Sequence, residues 1–267
     1  MPIIEAPTIT SLPAEARGAV VVSGSHGGRY PGCLAAKAGA RAVIFNDAGV
    51  GRDGAGIASL RDLEQLQIAA ATVSHASARI GDPADMMHRG VISHANGPAA
   101  VVGVAPGLAC RTAAQRLMAA PLIKAALRPL GETRRVLELP GAARLLVLVD
   151  SAAQVDPTDA GQIIVTGSHG GLVGGDPRLA LRVAGYAAVF NDAGIGIDDA
   201  GTTRLPALDA RRIPAFTVAA ASAAIGDASS SYRDGIVSRV NATARARGVQ
   251  PDMRASAIIE MWACGGF

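Results

Sequence analysis

The sequence predicts an α/β protein: a tandem duplication giving two pseudo-twofold related three-layer units with mostly parallel sheets. Three repeated motifs support this prediction. SGSHGG at 23–28 and TGSHGG at 166–171 each follow a short run of branched apolar residues. FNDAG occurs at 45–49 and 190–194, and IGD occurs at 80–82 and 225–227. Identities at a constant offset over about fifty residues indicate a tandem duplication, and two copies are too few for a solenoid.

The alignment of the copies sets the predicted domain organisation. When His26 is aligned with His169, the second copy has two extra residues before FNDAG, and no gap follows from Phe45 to Asn96. We therefore expect a first α/β repeat at 1–97, a connecting helix and strand segment at 98–161, and a second α/β repeat at 162–267.

Each copy shows the same order of predicted elements. Apolar runs at 19–22 and 163–165 predict a first strand, and alanine-rich segments at 34–39 and 179–185 predict a helix. A second strand is expected at 42–45 and 187–190, then leucines at helical spacing, a third strand within 68–73 and 213–218, and a last helix at 84–96 and 230–247. Alternating strands and helices are typical of a parallel sheet covered by helices.

The connecting segment gives weaker signals. Residues 108–127, LACRTAAQRLMAAPLIKAAL, predict a helix up to Pro121, with its continuation left open. RRVLEL at 134–139 and RLLVLVD at 144–150 predict two strands joined at PGAA. This segment could extend one sheet, form a hairpin or cover a cleft, and the sequence does not distinguish these placements.

Composition narrows the class of protein. The chain has 267 residues, 49% of them hydrophobic, and a formal charge of +3 from 25 basic and 22 acidic residues. Without a basic block or stacking aromatics, a nucleic-acid partner is not expected. No apolar stretch is long enough for a membrane span, and the first residues lack a secretory signal pattern, so a cytoplasmic location is expected. The many small residues leave a homo-oligomer open.

The cysteines predict neither a disulfide framework nor a zinc site. Cys33, Cys110 and Cys264 are odd in number and fit no CxxC spacing. No metal ligand is assigned from the sequence, and the cofactor is unknown. None is favoured, although a divalent metal held by histidine and aspartate stays open.

The repeated motifs predict the place of the functional site. In open parallel sheets, ligands bind beyond the carboxyl ends of the strands, and each motif begins where a predicted strand ends. Glycines let the backbone approach a ligand closely, and a histidine near carboxylates is suited to proton transfer. We therefore expect two converging sets of side chains, one in each copy: His26, Asp47, Asp53 and Asp82, and His169, Asp192, Asp198 and Asp227.

From these motifs the sequence gives two groups of candidate residues. The candidate catalytic residues are His26, His75, Asp47, Asp82 and Arg79. The candidate substrate-binding residues are Gly24, Ser25, Gly27, Gly28, Asn46, Ser77, His169, Asn191 and Asp192. Because neighbouring side chains of an extended segment point to opposite sides, Ser25 and His26 are not expected to act as a direct pair.

The two copies differ at the third loop. The first copy reads TVSHASARIGD at 72–82 and the second reads TVAAASAAIGD at 217–227, so His75 and Arg79 have alanine counterparts. This difference predicts an asymmetric site, with His75 or His26 transferring protons and Arg79 binding a substrate carboxylate or an oxyanion.

Structural interpretations of the same residues stay open. Asp47 and Asp192 also suit a tight turn, because aspartate tolerates left-handed geometry and caps exposed amides. Asp82 and Asp227 precede the last predicted helix as N-caps would. Arg79 also suits a solvated surface position.

The sequence therefore leaves three functional hypotheses. The first is a hydrolase acting on a small polar carboxylated or amide substrate at the cleft between the copies. The second is an isomerase, racemase or lyase that abstracts a proton next to a carbonyl. The third is a non-catalytic protein that binds a small ligand. The identity of the small-molecule substrate is beyond the sequence.

Overall fold

The structure of the protein is a computed structural model, and it describes residues 2–124 and 130–266. Its first sheet has five strands in chain order, of which the first four are parallel and the last is antiparallel. These strands are β1 (Ile3–Ala6), β2 (Val20–His26), β3 (Ala42–Asn46), β4 (Ala69–Val73) and β5 (Ile92–Ala95). The helices around it are α1 (Arg29–Ala38), α2 (Ser59–Gln65), α3 (Pro83–Arg89), α4 (Gly97–Val101) and α5 (Cys110–Leu117).

A second sheet of six strands repeats this arrangement. It contains β6 (Arg134–Leu137), β7 (Leu146–Val149), β8 (Ile163–His169), β9 (Ala187–Asn191), β10 (Ala215–Val218) and β11 (Val237–Val240). Its helices are α6 (Arg204–Asp209), α7 (Ala228–Arg233), α8 (Ala242–Arg245) and α9 (Ala255–Ala263). β7 to β10 are parallel and the outer strands β6 and β11 are antiparallel to their neighbours. The structure confirms the predicted α/β class with two mostly parallel sheets.

Alternating side chains bury both faces of each sheet. Val20 and Val22 of β2 pack with α3, α4 and α5, whereas Val21 packs with α1 and α2 on the other face. In the second sheet, Ile163 and Ile164 divide in the same way between two separate clusters. Since successive side chains of a strand point to opposite faces, apolar residues at every position require helices on both sides.

The connecting segment contributes to both sheets. α4 and α5 pack on the first sheet through residues such as Ala99 and Leu117. The strands predicted at 134–139 and 144–150 form β6 and β7, an antiparallel pair that extends the second sheet. The helix predicted from 108 ends at Leu117, and its open continuation at 125–127 lies outside the described residues.

Three predicted elements differ from the structure. The single last helices predicted at 84–96 and 230–247 were wrong, because each chain segment turns at Gly90 or Gly235 and then pairs with the sheet as β5 or β11. The helix predicted at 179–185 was also wrong. In this region the chain forms two 3₁₀ turns, at 173–175 and 177–179, and the left-handed backbone of Gly174 lies within the first of them.

The first four residues of each glycine motif complete strand β2 or β8, and only the last two glycines follow the strand. A Cβ at Gly24 would lie 2.7 Å from the Pro7 carbonyl oxygen and 2.7 Å from the carbonyl carbon of Gly81. A Cβ at Gly167 would lie 2.5 Å from the Asp227 amide nitrogen. These positions require glycine because neighbouring backbone leaves no room for a side chain.

The two copies meet back to back at their NDAG turns. A Cβ at Gly49 would lie 2.8 Å from Cα of Gly194, and a Cβ at Gly194 would lie 2.8 Å from Cα of Gly49. This reciprocal contact places the pseudo-twofold axis between the two glycines. Matched hydrogen bonds flank it, from Arg52 N to Ala220 O at 2.7 Å and from Ile197 N to His75 O at 2.9 Å.

Both turns have an unusual left-handed backbone. Four successive residues at 48–51, and four at 193–196, have positive φ. Two in each turn are not glycine, and Val50 (φ 61°) and Ile195 (φ 64°) are β-branched. A left-handed non-glycine residue costs about 1–2 kcal/mol. The turns are therefore held by their surroundings, which include a small apolar core of alanine and isoleucine shared by the two copies.

Substitution at Gly49 should weaken the packing between the two copies. We expect Gly49→Ala to lower the free energy of unfolding by about 1–2 kcal/mol for its left-handed φ, plus about 1–3 kcal/mol for the backbone clash. Urea unfolding of the purified variants measures this difference.

Gly54→Ala is the matched control, because Gly54 is also left-handed (φ 67°) but has open space where a Cβ would lie. Its counterpart Asp199 is a left-handed non-glycine residue (φ 52°). Equal destabilisation of the two variants would contradict a packing role for Gly49.

Candidate functional site

A cavity of about 640 Å³ lies between the two copies. Matched positions of the copies contribute to its wall, among them Ser25 and Ser168, and His26 and His169. Its lining also includes charged side chains from three parts of the chain: Arg29, Asp53, Glu132, Asp150, Arg182, Arg204 and Asp227. Both copies therefore face one shared space rather than two separate sites.

The matched serines hold backbone in place. Ser25 Oγ accepts a hydrogen bond from the Ile9 amide at 3.0 Å, and Ser168 Oγ accepts one from the Ala152 amide at 2.9 Å. Each bond fixes the 3₁₀ turn that follows β1 or β7 against the neighbouring strand. These hydroxyls therefore shape the cavity wall.

His26 is a buried imidazole with a defined tautomer. Burial lowers the pKa of His26 to about 4, so the ring is neutral at pH 7. The Gly28 amide donates to Nδ1 at 3.1 Å, which places the ring proton on Nε2. Nε2 has no hydrogen-bond partner among the described residues and is not fully buried, so it faces the cavity. His26 thus presents an N–H donor to a ligand.

His169 occupies the same position in the second copy but has a different environment. Burial, followed by the positive charge of Arg204 and by repulsion from His26 when that ring is protonated, lowers the pKa of His169 well below its ordinary value. Its Nδ1 is buried and has no hydrogen-bond partner of good geometry among the described residues. The hydrogen bonds of the structure therefore assign a tautomer to His26 but not to His169.

A buried arginine lies beside His169. Arg204 is 3% exposed, and burial lowers the pKa of Arg204 to about 10. Its guanidinium donates to the carbonyl oxygens of Gly171, Leu179 and Ala180. Within residues 2–124 and 130–266, no carboxylate forms an ion pair with it.

Carboxyl groups form another part of the cavity wall. Burial, with a smaller contribution from charge repulsion by Asp150, raises the pKa of Glu132 to about 7, against the lowering effect of a hydrogen bond with Ser151. Asp150 accepts hydrogen bonds from the Thr133 and Ala228 amides, which hold it next to the segment that carries Glu132. A carboxyl group that titrates near pH 7 is suited to proton transfer.

Two of the candidate catalytic residues, Asp47 and His75, bond each other away from this cavity, at the pseudo-twofold axis. Asp47 Oδ1 accepts hydrogen bonds from His75 Nδ1 at 2.8 Å, from the His75 amide at 2.9 Å and from the Gly49 amide at 3.1 Å. Asp192 accepts the corresponding bonds from the Ala220 and Gly194 amides. The turn interpretation therefore describes both aspartates.

Charge and burial act in opposite directions on this pair. Burial alone would raise the pKa of Asp47, but the hydrogen bonds and charge of His75 outweigh it and lower that pKa. The hydrogen bond to Asp47 raises the pKa of His75, against the opposing effect of burial. His75 keeps 30% of its side chain exposed.

Arg79 belongs to an ion-pair network at the contact between the copies. It bonds Asp82 at 2.9 Å and Asp198 of the second copy at 3.2 Å, and Arg89 also pairs with Asp198. On the other side of the axis, Arg52 pairs with Asp234 at 3.1 Å. Arg79 is thus neither a free surface residue nor part of the cavity lining. The network gives Arg79 a structural role at the contact between the copies.

The other predicted residues organise the turns and helix ends. Asp82 and Asp227 accept bonds from Asp85 N and Ser230 N as N-caps of α3 and α7, and this confirms the capping interpretation. Asn46, Asn191 and Ser77 bond nearby backbone. Gly24, Gly27 and Gly28 pack against backbone or the His26 ring.

The predicted sets of converging side chains are therefore divided. From the first set, His26 and Asp53 reach the cavity, whereas Asp47 lies at the axis and Asp82 at a helix end. From the second set, His169 and Asp227 line the cavity, and Asp198 is in the ion-pair network.

Sequence reasoning missed Glu132 and Arg204. Glu132 lies in the connecting segment, where no motif marks it. Arg204 is aligned with Ser59 of the first copy, and this replacement of a small residue by a cation was a signal in the sequence. Its burial was not visible there.

Searches of the described residues gave two further findings. No group of three or more His, Cys, Asp or Glu side chains in this part of the chain is arranged to hold a metal ion. Among the same residues, no helix combines the length and hydropathy that a membrane crossing requires.

Comparison with protein families, with curated proteins and with solved structures gave no match. Only the residues of this chain therefore indicate its function. The expected cytoplasmic location and lack of a nucleic-acid partner stay predictions.

The Asp47 and His75 pair should make stability depend on pH. The raised pKa of His75 stabilises the fold below its ordinary value of 6.5, and this contribution is lost as pH rises through the raised pKa. Because the pKa of Asp47 is lowered, its ionised form stabilises the fold above pH 3.8, the ordinary pKa of an aspartate. We expect His75→Ala to lower the free energy of unfolding by about 1 kcal/mol between these values, and by less at pH 9.

Urea unfolding at pH 5.5 and pH 9 measures this effect. His88→Ala is the control, because His88 is exposed and forms no ion pair with a carboxylate in the described chain. A pH-independent loss in the His75 variant would show that the ring acts by packing alone.

Proposed function

We propose that the cavity between the copies is the active site of a hydrolase for a small polar substrate with a carboxylate or amide group. One observation carries this proposal: two neutral, buried imidazoles from matched positions face one cavity whose wall also holds a carboxyl group with a pKa near 7. Buried groups with perturbed pKa values that share a cavity are typical of acid-base catalysis.

Each group has a distinct role in the proposed reaction. Ionised Glu132 takes a proton from water, and the hydroxide adds to the substrate carbonyl carbon. His26 Nε2–H donates a hydrogen bond to the carbonyl oxygen as that oxygen becomes negative. When the bond to the leaving nitrogen breaks, the proton held by Glu132 passes to it, directly or through His169. The products are a carboxylate and an amine or ammonia.

The paired histidines also favour a second candidate, an isomerase or racemase. Because His26 and His169 come from equivalent strand ends, they face the shared cavity from two copies of one unit. One group could take a proton from the carbon next to a carbonyl and the other could return a proton. The unequal surroundings of the two rings, with Arg204 acting on His169 alone, are less easily explained by such a symmetric exchange.

Isotopes distinguish these two reactions. A panel of short carboxylic amides and N-acyl amino acids would be incubated in H₂¹⁸O, with amine release and ¹⁸O in the product carboxylate as the expected results. Incorporation of deuterium next to the carbonyl from D₂O, without amine release, would favour the isomerase. Ligand binding without either signal would favour a non-catalytic binding protein.

Loss of His26 should affect turnover more than folding. We expect His26→Ala to lower kcat by about 10²–10³-fold, because removal of one donor to an oxyanion has this effect. Arg79→Met is the control, since Arg79 lies in the ion-pair network outside the cavity lining, and its kcat should stay within about threefold while stability falls. A His26 variant with unchanged kcat would contradict the proposed role.

Activity should depend on the ionisation of Glu132. As the base, Glu132 must be deprotonated, so kcat/KM should rise with pH through about 7. Glu132→Gln should lower kcat strongly and remove this ascending limb. If the limb persists in that variant, the base is another group.

A further inference from the structure

The guanidinium of Arg204 is fixed in the cavity wall with one nitrogen unused. Nε donates to Gly171 O at 3.0 Å, and Nη1 donates to Leu179 O at 2.8 Å and Ala180 O at 2.6 Å. Nη2 has no hydrogen-bond partner among the described residues and is not fully buried. Since Arg204 lines the cavity, Nη2 is the nitrogen available to a ligand.

The charge of Arg204 lacks a counter-ion in the described protein. A buried cation is unfavourable unless it is paired, and the three carbonyl oxygens that accept from Nε and Nη1 do not neutralise its charge. The centre of the guanidinium also lies 5.1 Å from the ring of Phe190, which is a weak interaction for a full positive charge. An anionic ligand group would supply the missing negative charge.

The equivalent position of the first copy holds no cation. Ser59 aligns with Arg204, and helix α1 packs so closely there that a Cβ at Gly32 would lie 2.4 Å from Ser59 Cβ. In the second copy, the loss of the helix equivalent to α1 provides the space and the carbonyl oxygens that Arg204 uses. The buried cation is therefore found beside His169 and not at the corresponding place near His26.

Among the described residues, no carboxyl group of the cavity wall forms an ion pair with this cation. Glu132 and Asp150 are close enough for Asp150 to raise the pKa of Glu132, yet neither is within 4.0 Å of the Arg204 nitrogens. Above pH 7 this wall carries negative charge, so it would repel a second carboxylate on the same ligand.

We infer that Arg204 binds the carboxylate of a monocarboxylate substrate and so fixes its orientation, with the anionic end beside His169 and the rest of the molecule toward Glu132. The backbone of Gly171 links this arginine to the histidine, because its carbonyl accepts from Arg204 Nε and a Cβ built on Gly171 would lie 3.0 Å from His169 Nδ1. The term substrate rests on the proposed function, whereas the carboxylate site itself does not.

Three small probes test this inference in the unaltered protein. Butyrate carries one carboxylate, butyramide is its neutral analogue, and succinate adds a second carboxylate. At pH 8 we expect butyrate to bind at least tenfold more tightly than butyramide or succinate by NMR titration. Butyrate, but not butyramide, should raise the pKa of His169, because it brings a negative charge next to the ring. Equal binding of butyrate and butyramide would overturn the inference.

Variants identify the group responsible. Arg204→Met should lower butyrate affinity at least tenfold, to the level of butyramide, and Arg204→Lys should recover part of it. Arg182→Met is the matched control, because Arg182 lines the same cavity but is exposed, and its affinity should change less than twofold. If Arg204→Met does not fold, the difference between butyrate and butyramide in the unaltered protein still decides the question.

These experiments distinguish failure of the proposed carboxylate site from failure of the proposed hydrolase activity. Butyrate binding that depends on Arg204, without hydrolysis of any amide in the panel, would remove the proposed hydrolase and keep the carboxylate site. Hydrolysis with unchanged KM in Arg204→Met would keep the hydrolase and overturn the carboxylate site.

Discussion

The close backbone contact between Gly49 and Gly194 is the constraint on which the rest of the structure depends. At this distance neither of these two positions tolerates a side chain. Both turns must also follow a left-handed backbone path that suits few residues. Asp47 and Asp192 stabilise that path by accepting amides from their own turn and from the third loop. The motif NDAG is therefore explained first by the contact between the copies. The cavity follows from how this contact places β2 and β8.

Different ion pairs flank the two sides of this contact between the copies. Asp198 pairs with Arg79 and Arg89, whereas Asp234 pairs with Arg52 across the axis. Exposed ion pairs contribute little individually, but a network that joins two packed units restricts how they slide and rotate. The replacement of Arg79 by Ala224 in the second copy then needs no catalytic explanation. The asymmetry that matters to a ligand lies elsewhere, where Arg204 replaces Ser59 beside the cavity.

The sequence predicted the repeated architecture better than the site. Identical motifs and apolar runs determine the strands, because residues such as Val20, Val21 and Val22 can be buried only within a sheet covered on both faces. Helix ends were predicted less well, since tertiary pairing of β5 and β11 overrides local propensity. His26 and His169 were correctly expected to lie at strand ends. The surroundings of Arg204 depend on a missing helix, and those of Glu132 on a distant chain segment, so neither could be predicted from local pattern.

Arg204 also shows what covalent fusion permits. In a homodimer of one copy, the twofold axis would place the same residue at both ends of the shared cavity. A buried arginine would then face a second one, and each would add to the unfavourable charge of the other. In a single chain the axis is only approximate, so one end can hold a cation while the other keeps Ser59 and helix α1. Duplication within one chain thus allows a symmetric scaffold to distinguish the head of a ligand from its tail.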